Sequence, residues 1–116
     1  MNTSHTPRPW GHYSVLREYG AITKVKELVV EPGKSLSMQR HQKRHEFWFV
    51  IEGTATVNGI DENTEQAVRM VILHQHDVLQ VGLKEWHQLQ NNTTETLKIL
   101  EIQFGEECTE EDIERK

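Results

Sequence analysis

A succession of short extended segments, separated by turn residues and followed by little helical pattern, predicts an all-β sandwich or barrel. Three observations lead there. Within each segment apolar residues recur at every second position, the period of a strand with one buried face. β-Branched and aromatic residues concentrate in the same segments. Between them stand Pro32-Gly33, Glu52-Gly53, Asn58-Gly59 and Gly82, residues suited to reversing the chain.

The elements follow in order. Ala21 to Val30 alternates loosely and stops at Pro32-Gly33. Leu36 to His41 comes next, then Glu46 to Ile51, which closes at Glu52-Gly53. Thr54 to Val57 runs into Asn58-Gly59, the strongest hairpin dipeptide in the chain. The polar, acidic stretch from Gly59 to Gln66 is therefore expected to be an exposed hairpin loop. Val68 to Leu73, Asp77 to Val81 and Thr96 to Phe104 complete the series. In the tail, Thr109 precedes Asp112 at capping-box spacing, which predicts a short C-terminal helix.

With 116 residues, the chain is long enough for one compact domain and too short for two. Residues 1–116 are expected to form that single domain, with 1–7 as a flexible N-terminal arm. No run approaches the roughly 20 apolar residues of a membrane span. The first ten residues are too polar for a secretory signal. The one cysteine, Cys108, has no internal disulfide partner, so a cytoplasmic protein is expected. A net charge of −5 without any basic stripe argues against nucleic acid or anionic membrane as partner.

The chemistry-bearing residues lie on two stretches. Gln39 and His41 are two apart, so on a strand they leave one face together. Residues 42–45 allow a turn, after which Glu46 returns beside them on a face shared with Trp48 and Val50. A carboxylate at the rim of an apolar interior needs a cation. His87 follows the turn-like stretch from Gly82 to Glu85. Two imidazoles, a carboxylate and an amide oxygen suit one divalent ion among Zn, Mn, Co, Ni and Fe. Gln39, His41, Glu46 and His87 are accordingly the expected metal ligands. His45 reads as a solvated turn residue, and His74 and His76 as exposed turn chemistry.

These residues follow a recognisable pattern. The first cupin motif, G-x5-H-x-H-x3,4-E-x6-G, is matched from Gly33, with Gln39 at the first histidine position, then His41, Glu46 and Gly53. Of the second, G-x5-P-x-G-x2-H-x3-N, His87 and Asn91 remain, with His76, Gly82 and Lys84 where Gly, Pro and Gly are usual. Longer words resemble the C-terminal, type II mannose-6-phosphate isomerase domain. They are Arg8-Pro9-Trp10-Gly11 with Tyr13, Lys24-Val25-Lys26, Val30-Glu31-Pro32-Gly33, Leu36-Ser37-Met38-Gln39, Gly53-Thr54-Ala55 and Glu101-Ile102-Gln103-Phe104-Gly105. Glu111-Asp112-Ile113 near the end resembles the closing segment, so the similarity runs from Arg8 to Arg115.

The resemblance implies a cupin, that is, a double-stranded β-helix or jelly-roll barrel, with a metal held by Gln, His, Glu and His. It implies aldose–ketose interconversion of the mannose-6-phosphate/fructose-6-phosphate type through an enediol, with a sugar or sugar phosphate as ligand. A homodimer formed by sheet extension is also expected, since open edges need cover. Lys24, Lys26 and Lys43 are the candidate catalytic residues; Arg44, Lys84 and Trp86 are the candidate substrate contacts. The chain departs from the branch at Lys43 and Phe47, where histidine is usual. It departs again at Gln88, where an arginine usually follows the metal histidine and offers a fork for phosphate. Two other readings stand beside the isomerase: a non-catalytic carbohydrate- or nucleotide-sugar-binding cupin, and a metal-dependent oxygenase-type cupin. With no glycine-rich phosphate loop in the sequence, nucleotidyl transfer is not expected.

Overall fold

A computed structural model describes residues 4–116. Eleven strands and no helix are present among the described residues. In chain order they are β1 (His5–Arg8), β2 (Gly11–Tyr19), β3 (Thr23–Val30), β4 (Gln39–Arg40), β5 (Arg44–Glu52) and β6 (Ala55–Ile60). There follow β7 (Ala67–Leu73), β8 (Val78–Val81), β9 (Gln88–Gln90), β10 (Leu97–Gly105) and β11 (Glu114–Arg115). A six-stranded sheet runs β1-β2-β3-β10-β5-β8, a three-stranded sheet runs β7-β6-β9, and β11 pairs with β4. Each pairing is antiparallel.

The period-2 pattern decides what faces inward. On β3 the buried positions are Lys26, Leu28 and Val30; on β5, Arg44, Glu46, Trp48 and Val50; on β10, Leu97, Ile99, Glu101 and Gln103. Register then arranges these residues in rows. Leu28 lies opposite Ile99, and Ile99 opposite Val50. The next row is Lys26, Glu101 and Trp48, and the one beyond is Lys24, Gln103 and Glu46. The interior thus changes from hydrocarbon to ionisable side chains within two steps along three adjacent strands. At the apolar end, Leu28, Val30, Trp48, Val50 and Ile99 pack against Ala55, Val57, Leu73 and Leu89 of the smaller sheet. This burial across both sheets is what holds them together.

Three expectations are corrected. The tail forms turns instead of a helix: Asp112 N–H donates to Thr109 O, and Glu114 and Arg115 then pair with Arg40 and Gln39. Its capping residues are engaged elsewhere, since the Asp112 carboxylate accepts from the backbone N–H of Gln42 and of Lys43, each at 2.9 Å. The N-terminal arm is a strand from His5 onward, pairing with β2, and residues 1–3 lie outside the described residues. An edge position tolerates Pro7, which has no N–H to offer a ladder. Asn58-Gly59 is not a turn. Both residues lie inside β6, opposite Arg69 and Val68, beyond a bulge after Val57. The chain reverses at Asp61, whose carboxylate accepts from Asn63 N–H at 2.8 Å and Thr64 N–H at 3.1 Å.

The β5–β6 turn uses Gly53 at φ +88°, where a Cβ would lie 2.6 Å from Thr96 O. Gly53→Ala is expected to cost at least about 2 kcal/mol of stability, from left-handed strain plus the clash. Urea denaturation of the two proteins checks this. No helix among the described residues is long and apolar enough to cross a membrane.

Candidate metal centre and cavity

Backbone pairing brings the two chemistry-bearing stretches together. Gln39 N–H donates to His87 O and His87 N–H to Gln39 O, both at 2.9 Å, so β4 and the approach to β9 are locked side by side. Lys84 N–H donates to His41 O at 2.7 Å and fixes the turn above them. Glu46, two residues into β5, faces both imidazoles. Its Oε2 is 3.2 Å from His41 Nε2, and its Oε1 is 3.4 Å from His87 Nε2. All three side chains are buried, and their ligand atoms lie within 4.8 Å of one another.

The outer nitrogens define the ring states. His41 Nδ1 is 2.7 Å from Asp112 O, and His87 Nδ1 is 2.9 Å from Glu85 O. A carbonyl only accepts, so each Nδ1 carries its proton and donates. In a neutral ring, Nε2 then presents a lone pair toward Glu46. Lone pairs facing a carboxylate repel, so each Nε2 either carries a proton and donates to Glu46 or shares a cation with it. A divalent ion fits such a donor set of two imidazoles with fixed tautomers and one carboxylate. The half-buried Gln39 lines the same cavity as Glu46; its amide nitrogen lies 3.3 Å from Ser37 Oγ.

Burial opposes ionisation of Glu46. Hydrogen bonds from His41 and His87, with the charges of His87 and Arg44, nonetheless hold its carboxyl well below the usual range. Burial likewise pulls His87 down, and its hydrogen bond and charge attraction to Glu46 more than offset this, so it is raised. Arg44 is buried with them. Its Nε and Nη2 donate to Glu46 Oε2 at 3.1 and 3.0 Å, Nη2 lies 3.3 Å from His41 Nε2, and Nη1 donates to Thr109 O.

Glu46 of this cluster lines a cavity of about 550 Å³, a volume suited to a small ligand. Trp10, Tyr13, Lys26, Leu36, Glu101 and Gln103 contribute to its walls. Glu101 is fully buried, accepting from Trp48 Nε1 at 3.0 Å and from Gln103 Nε2 at 2.8 Å. Burial, reinforced by the charge of Glu46 and only partly offset by Lys26 and Arg44, pushes it up to about 7.

Of the sequence candidates, the structure unites His41, Glu46 and His87, and puts Gln39, Arg44 and Lys26 on the same cavity. Lys26 is buried, with Nζ 2.5 Å from Glu110 Oε1 and 4.2 Å from the centre of the Tyr13 ring. None of the remaining candidates lines the cavity. Lys24 leans toward Glu110 at 3.9 Å. Lys43, one residue before β5, is exposed and pairs with Glu107 at 3.1 Å. Lys84 is an exposed residue at φ +61° in the turn. Trp86 packs beneath Arg40 and Lys116. His45 is half-buried and stacks on Phe104, so it is not the solvated residue the sequence suggested.

Glu101 and Gln103 were missed as site residues. The signal was available: they continue the inward alternation of Leu97 and Ile99, and polar residues at core-facing positions are rare without a partner or a role.

Comparison with known proteins bears on family and fold. Residues 2–116 match the family described as mannose-6-phosphate isomerase C-terminal. The chain is 38% identical over 108 residues to the alginate biosynthesis protein AlgA of Pseudomonas putida, covering 93% of this chain and 21% of that protein. It spans about a fifth of the length of the curated relatives it matches. Among solved structures, the capsular polysaccharide assembling protein CapF of Staphylococcus aureus superposes with a TM-score of 0.83 at 11% identity, over 98% of this chain and 34% of that one. A cupin superfamily protein of Desulfitobacterium hafniense superposes with a TM-score of 0.65 at 18% identity, over 81% of this chain and 76% of that one.

Proposed function

The chain belongs to the mannose-6-phosphate isomerase C-terminal family and folds as a cupin, and on that premise we propose that it is a metal-dependent aldose–ketose isomerase acting on a sugar phosphate. The observation that carries the reading is a second buried carboxylate, Glu101, in the wall of the cavity that Glu46 of the His41–Glu46–His87 cluster also lines.

His41, Glu46 and His87, with Gln39, would hold the ion. When bound it would polarise a substrate oxygen as a Lewis acid. Glu101 takes the proton from C2 of the open-chain aldose. The electron pair of that C–H bond becomes the C1–C2 double bond as O1 gains a proton, giving an enediol. Glu101 then returns its proton to C1 while O2 loses one and becomes the ketose carbonyl. Trp48 and Gln103 hold the carboxylate in place by donating one hydrogen bond to each oxygen. Lys26 adds a buried positive charge to the same wall.

The test is direct. Protein loaded with Mn, Co or Zn is given a panel of aldose and ketose 6-phosphates, and interconversion is followed by coupled assay or NMR. Turnover of at least one pair, lost on chelation and restored by the ion, is the expected result. No turnover of any pair with any ion overturns the reading.

One observation favours a second reading. Arg44 already gives Glu46 two charge-assisted hydrogen bonds, so the carboxylate has a resident cation. A carbohydrate-binding cupin without catalysis would then bind sugars equally well after chelation.

A further inference from the structure

Gln103 is 1% exposed, lies two residues beyond Glu101 on the inward face of β10, and lines the cavity. Its Nε2 donates to Glu101 Oε1 at 2.8 Å, while Trp48 Nε1 donates to the other oxygen at 3.0 Å. With Glu101 ionised, the form that takes up a proton, the carboxylate only accepts, so the amide turns its nitrogen toward Glu101 and its oxygen away. No protein group among the described residues donates to Gln103 Oε1. A buried amide oxygen without a donor is uncommon and costly, and Gln103, which carries this one, is among the residues lining a cavity large enough for a small ligand.

We propose that Gln103 is a specificity-determining residue whose amide oxygen accepts a hydrogen bond from one hydroxyl of a polyhydroxylated ligand. The inference rests on the sugar-phosphate reading above and deepens it. A hydroxyl is the group that suits this wall: it donates to Gln103 and still has lone pairs for the nearby cations Lys26 and Arg44. Because one amide bridges Glu101 and the ligand, Gln103 would align a substrate hydroxyl with the proton-transferring carboxylate. Sites built to bond a hydroxyl reject analogues that lack it far more strongly than sites that merely enclose it.

Mannose 6-phosphate and its 2-, 3- and 4-deoxy analogues are titrated calorimetrically into the Mn-loaded wild-type protein and into Gln103→Met. The wild type is expected to bind one analogue 10- to 100-fold more weakly than the parent. In Gln103→Met the parent should weaken by a similar factor, the penalty for that one analogue should vanish, and the other penalties should persist. If the variant keeps the whole wild-type pattern, or the wild type penalises no analogue, the inference is overturned while the isomerase reading stands. If the wild type binds none of the four, both fall. Should Gln103→Met not fold, Gln103→Leu likewise removes the acceptor oxygen and is expected to lose the same single penalty; retention of the whole wild-type pattern there overturns the proposal.

Discussion

His87→Ala is expected to abolish the rise in melting temperature that a divalent ion gives the wild-type protein. An ion that binds only the folded state at 1,000 times its dissociation constant stabilises it by about 4 kcal/mol. For a domain of this size that corresponds to a shift on the order of 15 °C. His87 supplies one of three converging ligand atoms, and its outer nitrogen is fixed by Glu85 O, so nothing nearby replaces it. Glu46→Gln should behave alike for a different reason. It removes the only ionised ligand, leaving neutral donors beside a buried guanidinium that repels the ion. Thermal melts with and without Mn, Co and Zn, paired with elemental analysis of dialysed protein, provide the check. An undiminished shift in either variant would falsify the proposed centre.

The second large effect concerns Glu101. Glu101→Gln is expected to lower kcat by about 10²- to 10⁴-fold, the usual contribution of a positioned acid or base, while leaving the ion-induced melting shift intact. A structural role alone would not separate these two readouts. The variant also carries a pH signature in metal-free protein. Glu101 titrates near 7 when folded, against an ordinary value of 4.5, so the native state holds the proton more tightly than the unfolded chain. Its contribution is therefore full below 4.5 and is lost as the pH rises through 7. Each pH unit in that interval is worth about 1.4 kcal/mol, and the whole interval on the order of 3 kcal/mol. The stability of Glu101→Gln relative to wild type should accordingly climb between pH 4.5 and 7.5. Urea denaturation at a series of pH values reads this, and a flat difference would exclude a buried, raised carboxylate.

Much of this was legible in the sequence, and the gaps have physical causes. Alternation marked β3, β5 and β10 because each buries one face in an apolar row, a pattern that depends on local sequence alone. His41 and Glu46 could be paired because a short turn separates them. The meeting of His87 with Gln39 rests on backbone bonds between distant segments, and only the cupin motif pointed to it. Local signals failed where a long-range partner outcompeted them. Asn58-Gly59 lies inside β6 because both flanks pair with β7, and Asp61 turns the chain instead. Thr109 to Asp112 does not start a helix because Asp112 spends its carboxylate on Gln42 and Lys43. Lys24 and Lys26 share a face, but only Lys26 lines the cavity, while Lys24 leans toward Glu110. The alternation of β10 marks Glu101 and Gln103 as inward-facing polar residues, but their neighbours Trp48 and Glu46 follow only from the register between distant strands.

Asp112 has a consequence of its own. Its carbonyl determines which nitrogen of His41 is free, from 71 positions away, and its carboxylate ties down the loop between His41 and β5. Fraying of the segment around Asp112 would remove the bond that orients His41 while leaving packed the hydrocarbon core, to which that segment contributes no residue.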